Sequence, residues 1–282
     1  MRRISSALGL MPFAVYILLF LALPTLLAVA SGFTNKAGRF TLENFSVYQN
    51  PVVWQTFWSS TWLSLLTAVL GAVIGALACW ALTGVKKDGW IRRMMDAASS
   101  VLAQFGGVML AFAFMVSIGM QAFITVFLRD KMGVDLYANG NWLYTVPGLV
   151  LPYLYFQVPL MIITFLPAME GLRPQWAEAA ATLGGTRRTY WTKVGFPVLA
   201  PSFLGALLLL FANAFSSYAT AAALISQGSQ IVPLQVRAAL IGETGASNAN
   251  SAGVLALGMV VVMAIVMVVY SLLMKKAARW QR

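Results

Sequence analysis

Six long apolar stretches divide this chain, and its polar residues gather in the intervals between them. The stretches are Leu10–Gly32, Phe57–Gly84, Ala97–Met120, Leu143–Leu166, Val198–Ile225 and Gly253–Met274, and none contains Asp, Glu, Lys, Arg or His. At 1.5 Å per residue, about 20 apolar residues of helix cross a hydrocarbon core of about 30 Å, so each stretch is long enough to span a bilayer. Helix is the expected form, because lipid offers no partner to an open backbone amide and a barrel needs short alternating strands. The pattern predicts an all-α membrane protein with six transmembrane helices. The first stretch ends in Ala28-Val29-Ala30, which has the look of a cleavage site, but its apolar run exceeds that of a signal peptide and is read as a retained helix.

Composition agrees. The chain is 60% hydrophobic and only 10% charged, whereas a soluble domain averages about 25% charged residues. The net charge of +11 is a matter of placement. Fourteen of the nineteen basic residues flank one side: before the first stretch, after the second and fourth, and at the chain's end. The other five are Lys36, Arg39, Arg129, Lys131 and Arg237. Positive loops stay inside, so both termini are expected in the cytoplasm. No clustered basic-aromatic patch accompanies the charge, and no nucleic-acid partner is expected. Trp142, Tyr144 and Trp280 fit interfacial anchors.

Several chemistries are excluded. There is no histidine, hence no histidine metal site and no Ser-His or Cys-His catalysis. The single cysteine, Cys79, rules out an internal disulfide or a cysteine metal cluster and reads as a small packing residue. No GxxxxGK[ST] motif is present to cradle ATP. The spans hold no ionisable relay, which argues against a proton-driven carrier, although a sodium site of carbonyls and hydroxyls stays open. Energy for uphill transport would have to enter from outside the chain.

The interval Pro167–Pro197 is the most informative one. Arg173-Pro174-Gln175-Trp176 is a helix start and Gly184-Gly185 a helix stop, which predicts a short helix over Pro174–Leu183. Trp176, Ala179, Ala180 and Leu183 share one face; Ala177, Glu178, Ala181 and Thr182 share the other. Arg187–Lys193 is expected as a second, basic turn before Phe196-Pro197 enters the fifth span. The residues alone fit an amphipathic connector lying on the membrane as well as a docking element for another chain.

Glu178-Ala179-Ala180, three residues, Gly184, nine residues, Val194, one residue, Phe196-Pro197 resembles the EAA loop of ABC importer permeases. The family pattern closes on Ile-x-Leu-Pro, so Val194 and Phe196 are the departures here, both apolar. The resemblance covers about residues 57–274 and implies a type I importer permease (MetI-like) core, preceded by an added N-terminal helix and loop over residues 1–56 and followed by a basic tail at 275–282. It implies that 167–197 is a coupling loop seated in a groove of a separate ATPase. Glu178 would make the polar contact, Ala179 and Ala180 would allow close seating, Gly184 would form the bend, and Pro197 would close the motif. It further implies two copies of the ATPase, a second and related permease subunit, and an extracytoplasmic solute-binding protein, in a bacterial or archaeal plasma membrane. ATP and magnesium would then belong to the partner, leaving this chain without catalytic residues, metal or cofactor.

Asn213, Ser216, Ser217 and Thr220 form a polar stripe if the fifth span is one continuous helix. The stripe suits a wet translocation face or hydrogen-bonding glue between helices. Gln157, between Pro152 and Pro159, suits the pathway or a freed carbonyl equally. Gly71 and Gly75 form a small-residue packing surface. For cargo, GRFTLENF and the end of the fifth span most resemble permeases of the polyamine, ferric-iron, thiosulfate or sulfate, and phosphonate group. Polyamine, spermidine or putrescine, is the first reading and the others are alternatives. A stand-alone channel or carrier, or a scaffold that merely recruits a partner, are the readings outside this family.

Overall fold

The computed structural model of the chain describes residues 2–35, 37–225, 230–242 and 249–278; Trp280 lies outside them. The described residues are mainly helical. In chain order the first helices are α1 (Arg2–Ile17), α2 (Leu23–Ser31), α3 (Pro51–Thr83), α4 (Trp90–Gln104), α5 (Gly107–Ile118) and α6 (Phe123–Met132). There follow α7 (Val150–Glu170), α8 (Pro174–Thr182), α9 (Arg187–Tyr190), α10 (Phe196–Phe215), α11 (Ala219–Leu224), α12 (Val232–Ile241) and α13 (Ala249–Ala278). An isolated bridge between Thr34 and Phe40 is the β feature seen among the described residues.

Six helical runs are long and apolar enough to cross a membrane: Leu10–Ser31, Pro51–Thr83, Gly107–Met132, Pro147–Glu170, Arg187–Phe215 and Ala249–Lys275. The six-span, all-α expectation holds, with two corrections of extent. The third span was expected at Ala97–Met120. The chain instead forms α4, breaks at Phe105-Gly106, and begins the span at Gly107, whose φ of +69° cannot continue a helix. The fifth span was expected to run unbroken to Ile225. It stops at Phe215, and α11 starts only at Ala219.

The chain divides into two compact units. One comprises residues 1–56 and 232–262. Within it no residue from Leu10 to Ser31 is buried, and the loop that follows is tied down by side chains. Asn44 Nδ2 donates to the carbonyls of Gly32 and Thr34 at 2.9 and 2.8 Å, and the Tyr48 hydroxyl donates to Val254 O at 2.9 Å. The segment VPLQVRAAL forms α12, with Val232 and Ala238 buried.

The other unit comprises residues 57–231 and 263–282, and α7 is its central helix. Ten of its residues are buried, from Pro152 to Met169. The α3 helix approaches it closely because Gly75 leaves room: a Cβ there would lie 2.5 Å from Met161 Cβ. Cys79, fully buried one turn on, places Sγ 3.8 Å from Ile162 O, as a packing residue would. The α4 and α10 helices also pack along α7.

Candidate functional site

The short helix predicted at Pro174–Leu183 is α8, and none of its residues is buried. Proline starts it, where its missing N–H is not needed. It ends in a Schellman pattern: Gly185 N donates to Ala180 O at 2.8 Å and Gly184 N to Ala181 O at 2.9 Å. Gly184 takes φ +73°, the left-handed conformation that glycine adopts without penalty. The bend expected at Gly184 is therefore built into the backbone.

The two faces of α8 meet different surroundings. Trp176, Ala179, Ala180 and Leu183 line a hollow of about 520 Å³, closed on its far side by Thr189, Lys193, Val194 and Val198. Ala177, Glu178, Ala181 and Thr182 are exposed and take no part in that lining. Glu178 thus stands on an outward face made otherwise of small side chains, while Ala179 and Ala180 border the hollow. Leu183, at 88% exposure, is a large apolar side chain with almost no cover.

Beyond the glycines, Thr186 caps α9 by accepting from Thr189 N at 3.3 Å. The basic turn expected at Arg187–Lys193 is not a separate element. It is the start of the fifth span, which runs from Arg187 through a π-turn at Trp191–Gly195 into α10. The π-turn has a physical cause in Pro197. Proline cannot donate to the carbonyl four residues back and its ring crowds that carbonyl, so a widened turn relieves both problems. The first span repeats the device, with a π-turn at Leu18–Ala22 just before Pro24.

A second, larger groove of about 1180 Å³ runs along α3, α7 and α10. Trp80, Phe165, Met169 and Phe203 give it apolar walls, and Arg187, Arg188 and Thr192 are its polar lining; no carboxylate takes part. Neither guanidinium is in an ion pair among the described residues.

The break after Phe215 separates the predicted polar stripe. Asn213 and Ser216 are exposed and belong to the end of α10, where Ser216 Oγ donates back to Ala212 O at 2.9 Å. Ser217 lies in the break, and its carbonyl accepts from the buried Tyr153 hydroxyl at 3.0 Å. Thr220 is buried on α11, and its Oγ1 accepts from Gly107 N at 2.9 Å. Gln157 is fully buried; its Nε2 donates to Thr67 Oγ1 at 2.9 Å, while Oε1 has no partner. Of the five candidates, the structure brings Asn213 and Ser216 together at a surface and puts Gln157 and Thr220 inside helix contacts.

One cluster escaped the sequence reading. Arg92, on α4, is only 8% exposed. Its Nε lies 3.0 Å from both carboxylate oxygens of Asp96, and its Nη1 lies 2.7 Å from Glu170 Oε1 at the end of α7. Burial works against its charge, but hydrogen bonds to Asp96 and Glu170 outweigh that and hold its pKa above the ordinary arginine value. The i, i+4 spacing of Arg92 and Asp96 was a legible signal; the partner 78 positions away was not.

Comparison with known proteins puts this geometry in context. No family model matches the chain. Over 203 residues it is 25% identical to the sulfate transport system permease protein CysT of Salmonella typhimurium, covering 71% of this chain and 69% of that one. Its Escherichia coli counterpart is 24% identical over the same length. A crystal structure of a bacterial ABC transporter involved in import of the acidic polysaccharide alginate matches with a TM-score of 0.78 at 16% identity, covering 98% of this chain and 96% of that one. The alginate transporter in complex with its alginate pentasaccharide-bound periplasmic protein gives 0.76 over 95% and 93% at 16% identity. The MetNI methionine ABC transporter gives 0.57 over 81% and 98% at 15% identity.

In sequence the chain resembles sulfate permeases, and in fold it resembles the permeases of ABC importers. Its helical core agrees in fold with the one the EAA-type spacing implied. The relatives are sulfate permeases, which matches one of the alternatives read from the sequence, and none of them supports the polyamine expectation.

Proposed function

We propose that this permease forms half of the pathway of an ATP-driven importer for sulfate or a closely similar small oxyanion. A separate ATPase docks on the outward face of α8, on the cytoplasmic side. The observation that carries the coupling role is a nine-residue helix, started by proline and closed by a glycine cap, with no side chain buried in its own chain. Such a helix gains its packing from another molecule. Glu178 supplies the charged contact, Ala177 and Ala181 beside it allow close approach, and Gly184 holds the angle at which the helix is presented. A second permease subunit completes the pathway, two ATPase copies drive it, and an extracytoplasmic binding protein delivers the cargo.

An anionic cargo fits the chemistry better than a polycation. The carboxylates of the described spans, Asp130 and Glu170, stand at span ends and are paired with Arg129 and Arg92, and the charged lining of the long groove is cationic. Asn213 and Ser216 are neutral hydrogen-bonding groups suited to a hydrated oxyanion passing without tight capture. The test is reconstitution of the permease with its ATPase, second subunit and binding protein in sealed vesicles. Radiolabelled sulfate should accumulate only when ATP reaches the ATPase side, and excess spermidine should not compete. Uptake without the ATPase would overturn the importer reading; ATP-dependent uptake of spermidine in place of sulfate would overturn the cargo.

A further inference from the structure

We infer that Arg92 is a positioning residue for coupling, clamping the base of the coupling helix to α4 through Glu170. The inference rests on the coupling role proposed above for α8. Glu170 is the last residue of α7, and only Gly171, Leu172 and Arg173 separate it from Pro174, the first residue of α8. That linker has little slack, since Gly171 N bonds the carbonyls of Pro167 and Ala168 and Leu172 N bonds that of Met169. A displacement of α8 is therefore felt first at Glu170.

Glu170 is gripped from the other side. Arg92 Nη1 holds Oε1 at 2.7 Å, while Lys87, largely exposed, reaches Oε2 only at 3.7 Å; an exposed lysine contact at that distance contributes little. The guanidinium is engaged on two sides, with Nε on Asp96 of its own helix and Nη1 on α7. A lysine ammonium is a point charge without this two-sided planar geometry. A nearly buried pair of this kind stabilises a fold weakly or not at all, because desolvation offsets the attraction. Its contribution is to fix one register between two elements, and here the elements are α4 and the root of the coupling loop. The far end of α4 meets Phe105-Gly106, where Gly107 N is held by Thr220 Oγ1 of α11. Arg92 thus ties the coupling loop to a helix whose far end is linked, through Gly107 and Thr220, to α11 beyond the break in the fifth span.

The test is a double-mutant cycle in the reconstituted complex, reading sulfate imported per ATP hydrolysed. Arg92→Gln and Glu170→Gln should each lower that ratio about tenfold, with the ATPase still bound and hydrolysing, and the double variant should be no worse than either single. Arg92→Lys should recover only part of the ratio, and Asp96→Asn should cost less than Glu170→Gln. Singles with the wild-type ratio, or losses that simply multiply in the double, would overturn the inference. If Arg92→Gln fails to assemble, Glu170→Gln and Arg92→Lys decide alone, since both keep a hydrogen-bonding group in place. A wild-type complex without ATP-dependent uptake would instead sink the importer reading, a separate outcome seen before any variant is made.

Discussion

Two neighbouring helices, α7 and α8, are joined by three residues yet solve opposite problems. The longer one buries ten of its side chains, among them Tyr153, Phe156, Met161 and Phe165. The shorter one buries none. Apolar content does not separate them, because α8 with Leu183 still carries a tryptophan, a leucine and four alanines. What separates them is where the matching surface lies. For α7 it is supplied by α3, α4 and α10 of the same chain. For α8 the described residues offer only the open hollow shared with α9 and the start of the fifth span, and its outward face meets no other element; under the coupling role proposed above, that face is where another molecule would pack.

The comparison would break most visibly at Glu178 and Gly184. Glu178→Lys reverses the charged contact on the outward face, and juxtaposed like charges at an interface cost several kcal/mol. ATP-dependent uptake should fall by more than about tenfold, while the amount of permease in the membrane stays unchanged. Gly184→Val attacks the angle instead. Nothing lies within 4 Å of the new Cβ, so the cost is the left-handed backbone itself, about 1–2 kcal/mol, and uptake should fall with the ATPase only loosely bound. Unchanged uptake in both variants, measured in the same vesicles, would return α8 to the membrane-surface connector that its residues alone also allowed.

Adding bulk sharpens the contrast, because the same kind of substitution should hurt two different properties. Gly75→Leu forces a side chain into Met161 and should destabilise the α3–α7 contact by about 1–3 kcal/mol, read as a lower midpoint of thermal unfolding in detergent. Ala181→Leu on α8 should leave that midpoint alone and weaken co-purification with the ATPase. A lowered midpoint in Ala181→Leu would mean that its face packs within the permease after all.

How much of this was legible follows the same division. Long apolar runs and the Pro-to-Gly-Gly punctuation of α8 are local signals, and both were readable residue by residue. The third span was misplaced because Gly106-Gly107 sits inside an apolar run, and hydropathy does not register a left-handed glycine. The break after Phe215 carries no proline or glycine at all. It is stabilised by Tyr153 donating to the freed carbonyl of Ser217, a contact 64 positions away in sequence. Arg92 and Glu170 were hidden for the same reason. Long-range hydrogen bonds decide where these helices stop, and a single sequence does not announce its long-range pairs.

Thr220→Val tests one such bond. The valine keeps the shape but removes the acceptor for Gly107 N, and an unpaired buried donor costs about 1–3 kcal/mol. The unfolding midpoint should drop, whereas Asn213→Ala and Ser216→Ala, exposed at the end of α10, should leave it unchanged. A drop with Ser216→Ala as large as that with Thr220→Val would argue that the four residues behave as one stripe despite the break.

The smallest effect is expected at Gln157, and it is informative because of its size. Its Nε2 bond to Thr67 is a single contact between helices, and such bonds in membranes average about 0.6 kcal/mol. Its Oε1 is buried without a partner, a penalty that Gln157→Leu removes. The Thr67 hydroxyl keeps its own donation to Leu63 O at 2.8 Å, so no new orphan is created. The two contributions oppose each other, and the unfolding midpoint should shift little in either direction. Uptake should then be unchanged as well, since a side chain with no exposed surface has no route to the cargo in this conformation. If Gln157→Leu instead abolishes uptake at an unaltered midpoint, the free Oε1 is spoken for in another state of the transport cycle, and α7 would share with α8 the property of holding a group in reserve.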